Sequence, residues 1–385
     1  MSWRAGLAQD FERAQNCIFV REGAMFKASV FLAAVCMLAS ASALCAEADG
    51  QIVSGKEINV DGKFVKGGDG EKPSHDLSGI ACRRENDSRR RCVVIDDQGL
   101  FAQTAILEDH ELKPKDPVEL IFKTKEVYGV APKAGCPDVG FKDLDGEGVA
   151  YDGDYFYVVG SHGCSRKNNE FSRSAFITTR FRLDASGKAV EPAEATYRLS
   201  DALKKADNVR NFFGKNLKDE NGLNIEGVAV VNGMLYAGAR APSLGGKAFI
   251  VAAKVSDLFA PGPLEGSFDV REITLDLGEG VGIRDLALLL DGRLLVLAGP
   301  AQDQDTLFSL YAVTLPEASG PAKKKSIASL EDLPFAKDGD GDMKRPKAEA
   351  VLPLDESGGK LRALVLFDVP KNGSPREYRA TLPPP

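Results

Sequence analysis

The sequence predicts an all-β fold, a β-propeller of five four-stranded blades with six blades as the open alternative, and three observations carry that expectation. One short motif recurs five times. Each copy opens a series of apolar stretches separated by turn residues. The last copy is followed by one strand too few, and the N-terminal part of the mature chain has a segment that can supply it. The copies are DLSGIAC at 76–82, DGEGVAY at 145–151, NIEGVAV at 224–230, GIRDLAL at 282–288 and PKAEAVL at 346–352. Their aligned polar positions are Ser78, Glu147, Glu226, Arg284 and Glu349, at successive spacings of 69, 79, 58 and 65 residues. Self-similarity of this kind marks a repeat architecture and is sought before any other signal.

Each unit then reads in the same order. The second has GVAY, the turn DGD and YFYVVGS; the third has GVAVV, the turn NG and MLYAGAR; the fourth has LALLL, the turn DG and RLLVLAG. Asp-Gly and Asn-Gly between apolar runs are strong hairpin signals. Third strands are expected at 174–183, 247–255 and 307–315, and weaker fourth strands at 195–199, 270–277 and 325–330. Four antiparallel strands per unit describe a propeller blade. The last unit shows three strands, EAVLPL, LRALVLF and EYRATL, so IVSGKEINV at 52–60 is expected to complete it. Pairing the two chain ends closes the ring and leaves no sheet edge exposed. A β-sandwich would not explain a motif that recurs at the start of every unit. A sixth blade would need the longer second unit to hide a degenerate one.

The first stretch reads as a leader rather than as part of the fold. Residues 28–43 carry no charge, Lys27 precedes them, and Ala41-Ser42-Ala43 and Ala46 offer cleavage sites. That is the layout of a secretory signal peptide, and it is shorter than the roughly 20 residues that span a bilayer. The expected organisation is a signal peptide over 1–46, with Met25 as a plausible true start, and one propeller domain over 47–385. The expected compartment is the periplasm or the exterior, without a transmembrane anchor, and the expected state is a monomer. The net charge of −7 becomes one unit more negative without the leader. An acidic chain with no basic cluster excludes nucleic acid as its main ligand, and KKK at 323–325 reads as a solvated loop. Of seven Cys, three lie in the leader. The remaining Cys82, Cys92, Cys136 and Cys164 are even in number and lack the C-x-x-C spacing of a zinc site, so they read as disulfides. Cys82 and Cys92 flank a short turn between the first two strands of blade one, which fits a cross-strand bridge. Cys136 and Cys164 both fall in loops at one end of blade two and form the second expected pair.

GVAYDGDYFYVVGSHG at 148–163, GLNIEGVAVVNGMLYAGARAP at 222–242 and LDLGEGVGIRDLALLLDGRLLVLAGPA at 275–301 resemble an exported bacterial family known as domain of unknown function 3616 (DUF3616). The resemblance covers most of the mature chain. The repeated E-G-V-A also resembles the esterase-like phytase propellers, more distantly. Neither resemblance implies catalytic residues for this chain. A WD40 reading is excluded, since the only Trp is Trp3.

The first strand of each propeller blade lines the central channel, so equivalent positions converge at one mouth. Glu147, Glu226, Arg284 and Glu349 are therefore expected to form a ring, with Ser78 as fifth member and Arg240 nearby. Gathered carboxylates repel unless a cation offsets them, and the fork of Arg284 suits carboxylates. The ring reads either as an ion-pair network holding the blades in register or as a ligand site, with Glu147, Glu226 and Glu349 as candidate metal ligands for calcium or magnesium. His162 and His75 are the candidate general bases. No G-x-S-x-G is present, which argues against a nucleophile-elbow hydrolase. DLDGEG at 143–148 and DGDGD at 338–342 resemble calcium-loop fragments without matching an EF-hand, and the second reads as a mobile turn. Two functions follow. The preferred one is a periplasmic binding or interaction propeller taking a small anionic molecule or a protein partner at the charged mouth. The other is a divalent-metal-dependent hydrolase of phosphoesters, esters or lactones at the same place.

Overall fold

Turn chemistry sets up each blade. Between the first two strands of blade three, Val231 pairs with Met234 across Asn232 and Gly233, at φ of 50° and 74°. Both values lie in the left-handed region that a two-residue hairpin turn requires. Repetition of such hairpins builds five sheets in a computed structural model that describes residues 51–121, 126–262 and 268–385. The leader and its cleavage sites lie outside the described residues.

Blade one consists of Leu77–Arg84, Arg89–Asp96, Phe101–Glu108 and Glu111–Glu119. Blade two has Gly146–Tyr151, Phe156–Gly160, Thr178–Leu183 and Ala189–Thr196; blade three has Asn224–Val231, Met234–Ala241, Lys247–Lys254 and Val270–Asp276. Blade four has Val281–Leu288, Leu294–Pro300, Ser309–Thr314 and Lys323–Leu330. Blade five has Lys347–Ser357, Lys360–Asp368 and Arg376–Thr381, completed by Lys56–Glu57. The inner strands neighbour one another in sequence order, and that of blade five returns to that of blade one. The ring therefore has five blades, and the longer second unit hides no sixth.

The core is divided among the interfaces between successive blades. Val93 and Ile95 pack with Val149 and Phe156 between blades one and two, and Val159 packs with Val228 and Leu235 between two and three. Ile250 meets Leu286 and Val296 between three and four. Leu297 and Leu310 meet Val365 and Tyr378 between four and five, and Leu364 and Leu366 meet Val94 and Leu112 where five meets one. A sheet with an apolar layer on both faces explains why the central strands read as continuous apolar runs rather than alternating ones.

Closure is more distributed than one strand. Residues 52–60 split into three pieces. Ile52–Val53 runs parallel to the outer strand of blade four, Lys56–Glu57 pairs antiparallel with Arg376–Thr381, and Asn59–Val60 runs parallel to the outer strand of blade one. The segment thus supplies the missing strand of blade five and laces it to both neighbours.

Three local expectations change. The fourth strand of blade two lies at Ala189–Thr196, and Arg198–Leu203 is a short helix; the buried Arg198 side chain donates to the carbonyl of Asp257 at 3.1 Å and to those of Ala260 and Gly262, tying the helix to blade three. KKK at 323–325 begins the outer strand of blade four, where Lys323 and Lys325 pair with Thr314 and Ala312. DGDGD at 338–342 is an ordered hairpin tip. The Asp338 carboxylate accepts from the Asp340 and Asp342 N–H groups at 3.0 and 2.8 Å and holds Lys344 Nζ at 2.5 Å. Both expected disulfides are present, Cys82–Cys92 across the first hairpin and Cys136–Cys164 between two loops of blade two.

Candidate functional site

The repeated motif has a specific geometry. In every blade the strand pairing slips by one residue at the aligned polar position: Ser78, Glu147, Glu226, Arg284 and Glu349 each sit in a bulge of the inner strand. A bulge leaves its residue out of the ladder and re-aims its side chain. Five bulges at equivalent points bring these side chains to one level of the channel.

The following residue explains the glycine. A Cβ on Gly79 would stand 2.9 Å from the Val149 N of blade two, one on Gly148 would stand 2.7 Å from the Glu226 O of blade three, and one on Gly227 would stand 2.8 Å from the Asp285 carbonyl carbon of blade four. Glycine thus lets successive inner strands approach at the bulge. Blade four breaks the pattern with Asp285, whose buried carboxylate accepts the Val351 N–H of blade five at 2.8 Å and the Leu286 N–H at 2.7 Å. Three neighbouring strands are held by close backbone approach, and the fourth contact by a side chain.

Within the ring, Glu226 lies between two guanidinium groups. Arg240 Nη1 donates to Glu226 Oε1 at 2.7 Å, and Arg240 Nε donates to the Ala301 carbonyl at 2.9 Å. Arg284 Nε stands 2.9 Å from Glu226 Oε2, a charge contact whose angle falls short of a hydrogen bond. Arg284 Nη2 donates to Glu349 Oε2. All four residues are buried. Burial works against the charge on Arg284, yet Glu226 and Glu349 hold its pKa above the ordinary arginine value. Burial raises Glu226, while Arg284 and Arg240 pull it back.

Glu147 stands apart. It is half-buried and makes no ion pair among the described residues. Burial, with the negative charges of Glu226, Asp145, Asp97 and Glu349 around it, pushes its carboxyl well above the usual range. Asp97 is raised in the same way by burial and by Asp76 and Asp96, and its Oδ1 is buried without a partner. Ser78 turns its hydroxyl to the Asp76 carbonyl at 3.3 Å.

The structure thus joins Glu226, Arg240, Arg284 and Glu349 directly and sets Glu147 beside them. As for calcium or magnesium, Glu226 and Glu349 are already engaged by arginine, and among the described residues no group of three His, Cys, Asp or Glu is arranged to hold a metal ion. The two histidines go elsewhere. His162 is completely buried, packs on Phe176, points Nδ1 at the Gly160 carbonyl 2.8 Å away, and is driven by burial down to about 4. It has neither the access nor the basicity that a general base near pH 7 requires. His75 is half-buried, with Nδ1 2.7 Å from the Val369 carbonyl.

His75 lines a cavity of about 370 Å3 between blades one and five, with Lys66, Lys72, Asp76, Lys347 and Asp368, beneath the hairpin that carries Asp338 and Lys344. Lys344 is paired with Asp338, and Lys347 with Asp368 at 3.3 Å. Lys66 and Lys72 form no ion pair among the described residues. Asp368 connects cavity and ring, because burial and the charge of Glu349 push its carboxyl to about 6. Sequence reasoning missed Lys66, Lys72, Asp97, Asp285 and Asp368. Only Asp285 carried a signal, as a carboxylate in the motif position that holds glycine in three other blades.

These features define a class: a five-bladed β-propeller whose channel is crossed at one level by buried ion pairs. The sequence profile of the family described as "Protein of unknown function (DUF3616)" matches residues 104–184 and 178–381, and the chain belongs to that family. No curated protein matches. Among solved structures, a protein from Lactobacillus plantarum is similar at 11% identity and a TM-score of 0.33, over 80% of this chain and 90% of that one. A protein assigned provisionally as a 6-phosphogluconolactonase, from Bacteroides uniformis, is similar at 10% identity and a TM-score of 0.32, over 81% and 74%. A GH43 β-1,3-galactosidase is similar at 11% identity and a TM-score of 0.39, over 86% and 60%.

Proposed function

We propose that the protein is an exported binding propeller that takes a small anionic molecule in the cavity between blades one and five. The observation that carries this reading is the pair of lysines at the cavity, Lys66 and Lys72, which form no ion pair among the described residues while Lys344 and Lys347 do, Lys66 acting on Asp76 through its charge alone. An anion there would gain charge-assisted hydrogen bonds. The buried ring serves as the rigid wall behind the cavity, with Arg284 and Arg240 neutralising carboxylates rather than meeting ligand. Export is part of the proposal: the uncharged 28–43 stretch and two disulfides accord with an oxidising compartment. No described helix is long and apolar enough to cross a membrane.

A thermal-shift series with inorganic phosphate, malate and glucose 6-phosphate tests the site. Saturation at a hundredfold excess over Kd adds about 2.7 kcal/mol of stability. At least one anion is expected to raise Tm, and the Lys66→Ala/Lys72→Ala double variant to abolish the rise. Indifference of the native protein to all three, or an undiminished rise in the double variant, removes the reading.

A further inference from the structure

The other mouth of the channel has different chemistry. Beyond the bulges the inner strands border a second cavity of about 370 Å3; its floor is formed by buried residues such as Ile80, Val149, Val228 and Leu286, whose side chains pack between the blades, and its open part is lined by Tyr151, Leu288, Leu290 and Leu354. It touches all five inner strands, so it lies on the axis of the ring. Its walls begin two residues past the bulges in blades one to four and three residues past in blade five, which places the buried ion pairs about 7 Å deeper at the rise of a β-strand. The volume is at the small end of the range for ligand pockets, about 300–1,000 Å3. At its rim Leu288 and Leu290 are 43% and 81% exposed.

One cation at that rim forms no ion pair among the described residues. The disulfide-bridged hairpin of blade one carries several arginines. Arg89 is paired with Glu85 and Glu108, Arg91 with Glu85, and Arg84 with Asp87. Arg90, which lines the cup, has no ion pair among the described residues and donates to the Leu354 carbonyl instead. Burial and the nearby charges of Arg84 and Arg362 lower its pKa, against the charge of Asp355. Of the cup's own acids, Glu356 accepts the Leu290 N–H at 2.9 and 3.0 Å, and the exposed Asp355 acts on Arg90 through its charge without forming an ion pair.

We propose that this cup binds an amphipathic carboxylate, with a short aliphatic chain along the axis and the carboxylate on Arg90. The site is independent of the cavity between blades one and five. Arg90 fixes one end through a charge-assisted contact, and the apolar lining of Tyr151, Leu288, Leu290 and Leu354 favours the chain without selecting its detailed shape. Affinity should therefore climb with chain length, about fourfold per buried methylene, until the chain meets the ion pairs.

Isothermal titration with hexanoate, octanoate, octylammonium and octanol tests it. Octanoate is expected to bind about tenfold or more tightly than hexanoate, and more tightly than either octylammonium or octanol. Arg90→Gln is expected to weaken octanoate about tenfold. Leu288→Asp, at an exposed position that the fold tolerates, is expected to weaken it too, and Lys66→Ala/Lys72→Ala to leave it unchanged. The proposal is overturned if octanoate does not bind the native protein, if octylammonium or octanol matches it, or if neither rim variant changes its affinity. A loss on Lys66→Ala/Lys72→Ala would also overturn it, by moving the site to the other mouth.

Discussion

Replacing Arg284 with glutamine removes the cation that bridges blades three and five and keeps most of the volume. In the native ring Arg284 stands 2.9 Å from Glu226 Oε2 and donates to Glu349, with all three side chains buried. Glu226 retains Arg240 at 2.7 Å, whereas among the described residues Glu349 has no second cation. Removing one partner of a buried pair costs about 3–5 kcal/mol, because the remaining charge is left uncompensated. With about 2.1 cal mol−1 K−1 of unfolding entropy per residue, a domain of roughly 335 residues has about 0.7 kcal mol−1 K−1, so the expected fall in Tm is about 4–7 °C. Calorimetry of the protein at pH 7 measures it. The pH dependence separates charge from packing. Losing the cation disfavours the charged form of the buried carboxylates it had offset. The penalty is therefore full above their pKa values and relieved as pH falls through them, since neutral carboxyls do not repel. Arg284→Gln should lose less relative to the native protein at pH 5 than at pH 7.5, and adding Glu349→Gln should restore part of the stability at pH 7. A shift below about 2 °C, or one that does not depend on pH, would refute the reasoning.

Other expectations follow from the same structure. Asp97, Glu147 and Asp285 are raised well above the usual range by burial, and Asp96 and Asp368 to about 6. Raised carboxyls stabilise the fold below their unfolded values, and that stability is lost as pH rises through the folded values. His162, lowered to about 4, acts in the opposite sense below about 6.5 but is one group against five carboxyls, so native Tm should fall as pH rises from about 4.5 to 6.5; a flat or rising Tm there contradicts the assignment. Gly148→Ala would put a Cβ 2.7 Å from the Glu226 O and should cost about 1–3 kcal/mol, read as a lowered urea midpoint. Peptide mapping without reduction should recover Cys82–Cys92 and Cys136–Cys164, separated by 10 and 28 residues; loop-closure entropy assigns them about 2.7 and 3.6 kcal/mol in turn, so Cys136→Ser/Cys164→Ser should be the more destabilising double variant. Calcium and a chelator should each leave Tm within about 1 °C, since arginine engages Glu226 and Glu349; a calcium-dependent rise of several degrees would restore the metal reading.

How far the sequence reveals this molecule depends on whether a feature repeats. The blades were legible because each unit writes the same hairpin chemistry, as in Val231-Asn232-Gly233-Met234, and because Glu147, Glu226 and Glu349 recur at one motif position. Their convergence followed from equivalence alone. Features that occur once were not legible in that way. The three-part lacing of residues 52–60 depends on distances to the outer strands of blades four and one, which a local pattern does not encode. The unpaired lysines of the first mouth sit in a segment without repeat partners, and the burial of His162 depends on Phe176 and the loops around it. Asp285 marks the boundary between the two kinds of feature. It occupies a repeated position but departs from the repeat, where Gly79, Gly148 and Gly227 each approach the next strand. Its carboxylate spans to Val351 N at 2.8 Å, doing with a side chain what glycine does by absence of one. A departure from a repeat at a tightly packed position is therefore informative: here it is compensated across the next interface, and the compensating hydrogen bond lies beside the one of the five motif bulges that carries a cation.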